Sequence, residues 1–349
     1  MGQRVLITGL STFWGGRLAQ VLEADPNVEV VIGLDTKEPQ VRLERTECVR
    51  SDENYSILAR IVRATKVDTI VHTFLSVDST EMTGRALHEL NVIGTMNLFA
   101  ACSAAGSSVR DVVVKSSALV YGCSPNDPVW CREDYRRQAP LRTKVEKSLV
   151  EVEGYVRDFA IDNPHVCVTL LRFSNVIGAD IITSITRALQ RPVVPSIFGF
   201  DPRFQFVHED DVVRSIMFTL EHHIPGIFNV AGDGLLPWSE VAAIAGRHTV
   251  PLPVVGRGLF TGALRRVGVD LPPELIDLLT YGRGIDNRRL KNEGFKYRYT
   301  SAGAVEAFME SLRLRRSVGN PDPPWRYDED VEQFFRHSPA VVRDHPSQG

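Results

Sequence analysis

Gly9, Thr12 and Gly15 stand three residues apart just after the apolar run Val5 to Thr8, and Asp35 follows twenty positions after Gly15. Glycines at such a turn let the backbone approach a diphosphate, and the N-terminus of the following helix faces its charge. An acid at the next strand end accepts hydrogen bonds from a ribose hydroxyl. These residue types at this spacing point to a dinucleotide. The middle position departs from the pattern: Thr12 places a β-branched side chain where the backbone should pass closest to phosphate, and there it crowds the approach.

The elements that must position these groups are legible in the flanking residues. Val5 to Thr8 reads as a strand, Arg17 to Glu23 as a helix with apolar residues at helical spacing, and Val28 to Gly33 as a second strand ending on Asp35. Glu47 to Asp52 is a further strand end with a second acid, Ile57 to Ala64 a helix, Asp68 to His72 a strand and Ala86 to Ala104 a long helix. Asp111 to Lys115 is a strand of consecutive valines leading into Ser116-Ser-Ala-Leu-Val-Tyr-Gly122. Lys144 to Phe159 is helical, and Val166 to Arg172 a strand running into Phe173-Ser-Asn-Val-Ile-Gly178. Strands alternating with helices, several apolar on both faces, predict an α/β fold with a doubly wound parallel sheet.

Beyond Gly178 the alternation loosens and proline becomes frequent. Gln205 to Val212 and Gly226 to Gly232 read as elements returning to the main domain. Pro237 to Arg247 is helical, Pro251 to Arg266 an amphipathic or loop segment, and Asp286 to Phe295 a last helix and turn. The expected organisation is a dinucleotide-binding domain of residues 1–178 with 205–232, a smaller substrate-binding part of 179–204 with 233–316, and a proline-rich, partly ordered tail over 317–349.

Composition bounds the partners. The 349 residues carry a net charge of -3, 24% charged and 43% hydrophobic residues, and no sustained Lys/Arg stripe, which gives no electrostatic footprint for nucleic acid. No apolar run approaches the ~18 residues of a membrane span, and the entry into a strand by residue 8 leaves no room for a cleavable signal. The five cysteines (Cys48, Cys102, Cys123, Cys131, Cys167) are odd in number and scattered, fitting reduced cytoplasmic thiols better than a disulfide frame or a zinc site; no metal is expected.

Over residues 3 to 300 the pattern resembles the extended short-chain dehydrogenase/reductase family, the NAD-dependent sugar epimerases and dehydratases. The resemblance rests on the Thr8-Gly9 turn, Asp35, Asp52, Val71-His72, Asn91-Val-Ile-Gly94 and the serine segment. Leu171-Arg-Phe-Ser-Asn175-Val-Ile-Gly178, Phe206-Val-His-Glu-Asp-Asp211, Phe228-Asn-Val230 and Asp286 to Phe295 extend it. It implies a Rossmann fold with NAD across the sheet's C-terminal edge and a nucleotide-sugar-like substrate between the two parts. Gly9, Thr12, Phe13, Trp14, Gly15, Thr73, Phe74 and Asn91 would line the cofactor. Asp35 would take the adenine ribose and disfavour a 2′-phosphate, with Lys37 the one weak hint of NADP, and Asp52 would lie near the adenine. Ser117 matches the catalytic serine or threonine and Asn175 the asparagine beside the substrate's phosphates. Simpler readings stand beside these: Ser116 and Ser117 terminating and capping a strand, Asn175 forming a turn, His72 packed in the core, Asp210 and Asp211 starting a helix.

The family's Tyr-x-x-x-Lys pair is missing. None of the eight tyrosines has lysine four residues later. The best local match, Thr143-Lys-Val-Glu-Lys147, puts Thr143 in the tyrosine's place and Lys147 in the lysine's, facing the cleft near Ser117. An aliphatic hydroxyl is a far weaker acid than a phenol near 10. Tyr135 is the better candidate for a relocated phenol, ahead of Tyr155. Two functions follow: an atypical epimerase, dehydratase or reductase using Ser117, Lys147 and a relocated or water-mediated acid/base, or a non-catalytic NAD- or nucleotide-sugar-binding protein. The resemblance also implies a homodimer through the helices 86–104 and 144–159. Leu87, Leu90, Leu98, Val145, Leu149, Val152 and Val156 are expected to give them more apolar surface than one sheet face needs.

Overall fold

The computed structural model describes residues 2–52, 54–77, 82–253, 271–318 and 331–342. Seven strands form one parallel sheet: β1 (Gln3–Thr8), β2 (Val28–Asp35), β3 (Glu47–Arg50), β4 (Thr69–His72), β5 (Asp111–Ser117), β6 (Cys167–Phe173) and β7 (Gly226–Val230), in the order β7-β6-β5-β4-β1-β2-β3. The chain order reverses between β1 and β4, which opens a crevice at the strands' C-terminal ends, where ligands of such sheets bind. Both sheet faces are covered, so the inner strands are apolar on both sides. Val112 and Val114 face one helix layer and Val113 the other.

On one face lie α2 (Tyr55–Thr65), α3 (residues 84–102) and α4 (Lys144–Asp162); on the other lie α1 (Phe13–Ala24) and α5 (Glu209–His222). α3 occupies the stretch read as one long helix but contains a π-helical turn, Glu89–Ile93. The apolar stripes on α3 and α4 are not surplus. Leu87, Leu98, Val145, Leu149, Val152 and Val156 are all buried in the layer where α2, α3 and α4 pack on the sheet and on one another, with Leu90 half-buried against it.

The smaller part has its own core, with Phe204, Phe206, Trp238, Leu275, Leu278 and Phe308 at its centre. The short strand Phe206–His208 pairs with Asn175–Ile177, tying this part to the end of β6. The helix expected to be the last, Arg288–Asn292, is followed by two more, Ser301–Val318 and Val331–His337. The first buries Ala304, Val305, Phe308 and Met309, a helical spacing present in the sequence. The second returns to the main domain: Phe334 is fully buried, Arg60 stacks on Phe335, and Arg4 Nη2 donates to the Ala340 carbonyl. Most of the segment read as amphipathic or loop, Pro251 to Arg266, lies outside the described residues.

A buried polar network crosses the sheet beneath the crevice. The Glu153 carboxylate on α4 accepts from Ser116 Oγ at 2.7 Å and from Arg172 Nη2 at 2.6 Å. Arg172 Nη1 donates to Tyr121 Oη at 2.8 Å, and Tyr121 donates to Asn229 Oδ1 at 2.6 Å. Removing one partner of such a pair leaves the other charge buried and alone. Glu153→Ala should therefore lower unfolding free energy by about 3–5 kcal/mol, a shift in the urea midpoint that a surface glutamate substitution would not produce.

Candidate active site

The glycine turn after β1 is built as the sequence implies at both ends. Gly9 sits at φ +81, with Phe74 2.6 Å from where a Cβ would stand, so only glycine fits. A side chain on Gly15 would collide with the Gly9 carbonyl oxygen. Thr12 does not project into the approach. It is the N-cap of α1, its hydroxyl donating to the Gly9 carbonyl at 2.6 Å and accepting from Gly15 N–H at 3.1 Å. The next two amides, Phe13 and Trp14, have no acceptor among the described residues, so the helix start keeps two donors for a diphosphate. Asp35 accepts from the Ser11 and Lys37 amides at 2.9 and 3.0 Å. A carboxylate has about four acceptor sites, which leaves capacity for ribose hydroxyls. Asp35, Lys37, Val49 and Arg50 line the depression there, whereas Asp52 is exposed and outside that lining. These residues fit the adenosine and diphosphate portions of a dinucleotide.

Thr73 and Phe74 form the opposite wall. Thr73 donates to the Thr8 carbonyl at 2.8 Å, and its own carbonyl accepts from Trp14 Nε1 at 3.1 Å. His72 is packed as the simpler reading had it: fully buried between the Thr8 and Thr95 hydroxyls, edge-on to Phe74, and held neutral because burial lowers its pKa to about 3. Asn91, expected at the cofactor, is instead fully buried with its amide committed. Nδ2 donates to the Ser76 carbonyl and to Ser148 Oγ, and Oδ1 accepts from Ser76 N–H. It fixes the loop after β4, and both of its amide donors are spent there.

A cavity of about 120 Å³ lies between the sheet edge and the smaller part. Its lining includes Trp14, Lys115, Ser117, Asn175, Ile185, Glu274 and Arg283. Ser117 caps a strand end, accepting from Leu119 N–H at 3.2 Å, and it also lines this cavity. Asn175 anchors through Nδ2 to the Gln205 carbonyl at 2.9 Å. Asp211 starts α5 and also accepts from the Arg298 and Tyr299 amides, a structural role. Lys115 and Arg283 were missed in the sequence. A lysine ending a run of valines in a buried strand is the signal that could have found the first.

The assignment of Thr143 and Lys147 to the cleft beside Ser117 is corrected. Thr143 is the N-cap of α4, bound in a capping box in which its hydroxyl accepts from Glu146 N–H at 3.1 Å and Glu146 accepts from the Thr143 amide. It lines a neighbouring groove, with Lys144, Pro273 and Asp277, which shares Glu274 with the Ser117 cavity, and Lys147 is exposed. The face of α4 turned to β5 is marked by Glu153. One and two turns earlier on that face stand Leu149 and Val145, both fully buried. No described tyrosine lines the Ser117 cavity. Tyr135 donates to Asp127 at 3.0 Å, Tyr155 packs on the core, and the buried Tyr121 hydroxyl is pushed up to about 12 by desolvation.

Comparison with known proteins places this geometry among relatives. The model of the NAD dependent epimerase/dehydratase family matches residues 5–231. An uncharacterised protein of Mycobacterium tuberculosis is 38% identical over 328 residues, covering 91% of this chain and 86% of the relative. UDP-glucose 4-epimerase 3 of Oryza sativa subsp. japonica is 30% identical over 193 residues, 51% of this chain and 50% of that protein. Among solved structures, MoeE5 in complex with UDP-glucose and NAD has a TM-score of 0.70 at 21% identity, covering 90% of this chain and all of that one. The UDP-glucuronic acid 4-epimerase from Bacillus cereus in complex with NAD has 0.68 at 15%, covering 89% and 99%. At these identities the structures establish the shared fold.

The capping role of Thr143 gives a direct check. Thr143→Ala should cost about 1 kcal/mol of stability, within the 0.5–2 kcal/mol of a lost N-cap, and leave dinucleotide affinity unchanged. A tenfold loss of affinity measured by calorimetry would return Thr143 to the site.

Proposed function

Because the chain belongs to the NAD dependent epimerase/dehydratase family, we propose that it binds NAD and a nucleotide-sugar across the C-terminal edge of its sheet and oxidises a sugar hydroxyl during epimerisation or dehydration. The observation that carries this reading is the cavity in which Trp14, from the nucleotide turn, meets Ser117, Asn175 and Arg283. Bound NAD would supply the hydride acceptor. Phe13 and Trp14 amides would hold the diphosphate, Asp35 the adenine ribose, Ser117 the reacting hydroxyl, and Asn175 and Arg283 the substrate's phosphates.

Val145 and Leu149 on the inner face of α4 favour a second reading, a protein that binds the same ligands without turnover. Adding UDP-glucose to the NAD-loaded protein and following absorbance near 340 nm separates the two. A transient rise, or recovery of an epimerised or dehydrated sugar nucleotide, supports the enzyme, while binding with flat absorbance and unchanged UDP-glucose supports the sensor. In either case a homodimer through α3 is proposed, now resting on the exposed Ile93 and Met96; a monomeric mass in light scattering at micromolar concentration would exclude it.

Cofactor choice follows from Asp35. A carboxylate at the adenine ribose repels a 2′-phosphate, so calorimetry should find NAD(H) tighter than NADP(H). Asp35→Ala should weaken NAD by about 1.5–3 kcal/mol, the worth of a hydrogen bond to a charged group.

A further inference from the structure

The cavity that lacks a tyrosine contains an amine. Lys115 is 3% exposed at the C-terminal end of β5, and its side chain lines the same cavity as Ser117, two residues on. Successive strand residues alternate faces, so Lys115 and Ser117 point to one side, while Ser116 points to the other and binds Glu153. Among the described residues no hydrogen-bond acceptor stands within reach of Lys115 Nζ. It lies 3.9 Å from the centroid of the Trp14 ring, whose indole N–H is spent on the Thr73 carbonyl. The chain buries the lysine stem, and an ammonium there with neither anion nor acceptor leaves its donors to whatever fills the cavity.

We propose that Lys115 is the catalytic residue that exchanges the proton of the reacting hydroxyl in this chain, in place of the missing phenol; the assignment rests on the NAD-dependent reading above. Oxidation of the sugar hydroxyl would break its C–H and O–H bonds and form a C=O bond, and NAD, when bound, would supply the acceptor for the hydride and its two electrons. Lys115, as the neutral amine, would take the hydroxyl proton, directly or through the Ser117 hydroxyl. As the ammonium it would give that proton back when the carbonyl is reduced again. Burial supports the role by lowering the lysine pKa to about 7, where neutral and charged forms are both available at working pH. The other charged groups around it are Glu274 and Arg283 across the cavity. Arg172 and Glu153 lie paired on the far face of the neighbouring strands, and His72 on β4 is uncharged.

The test uses the full chain, with Lys115→Met and Lys115→Gln as variants that keep the stem or polarity without a titrating amine. In wild type, tryptophan emission should show a transition near pH 7, because the Trp14 ring senses the ammonium charge. Both variants should lose it. In NAD-loaded protein mixed with UDP-glucose, the growth of absorbance at 340 nm should rise with pH through about 7 as the amine becomes neutral. It should fall at least 10²-fold in each variant, with NAD affinity held within about twofold. An emission curve flat across pH 7 in wild type would overturn the lysine assignment even if neither variant folds. Variants that bind NAD and reduce it as fast as wild type would overturn it too, leaving the cofactor reading intact. Failure of wild type to bind NAD, or a bound UDP-glucose left both chemically unchanged and without any transient at 340 nm, would overturn the enzymatic reading and the assignment together.

Discussion

The ion pair between Glu153 and Arg172 is the contact on which the site's geometry depends. It joins α4 to β6, and through Ser116 and Tyr121 it reaches β5 and the turn beyond it. Each group is almost wholly buried, so each charge needs the other, and hydrogen bonds with Ser116, Tyr121 and the Glu133 carbonyl add to the pair. The consequence is a rigid floor directly under the cavity. The strand end carrying Lys115 and Ser117 cannot shift against β6, which carries the chain into Asn175. The same pair fixes the rotation of α4, and that rotation puts Val145 and Leu149 on the inner face and leaves Lys147 in solvent.

Above that floor the site is assembled from two halves with different tolerance to change. The nucleotide turn is constrained by space: Gly9 and Gly15 have no room for a side chain, and Thr12 is accepted because its hydroxyl folds back to cap α1. The reacting half is constrained by chemistry. The inner face of α4 carries apolar residues that pack well, and the polar groups at the cavity come from the end of β5 and from the smaller part. A helix face and a strand end converge on the same space, so a proton-bearing group can come from either.

Much of this was legible in the chain itself. The parallel sheet, the turn at Gly9 to Gly15, Asp35 at the end of β2, and Ser117 and Asn175 at the ends of their elements all follow from local pattern. Periodicity and turn chemistry act within a few residues of one another. The helix 301–318 lies beyond the one expected to be last, although its apolar residues recur at 304, 305, 308 and 309, the same kind of local pattern.

What the sequence by itself determined is therefore the order of the elements and the residues at their ends; what only the tertiary structure decided is which way the middle of each element faces. Thr143 and Lys147 have the right spacing for a pair on one helix face, but spacing alone does not say where a helix begins or how it is rotated. The cap at Thr143 set the first, and the buried partner of Glu153, nineteen residues away on another strand, set the second. Asn91 has the chemistry to meet a cofactor and is consumed by a loop and a helix that are distant in sequence. Lys115 shows the converse: the three valines before it mark an amine in a buried strand, but the cavity that it faces exists only once the smaller part closes over the end of the sheet.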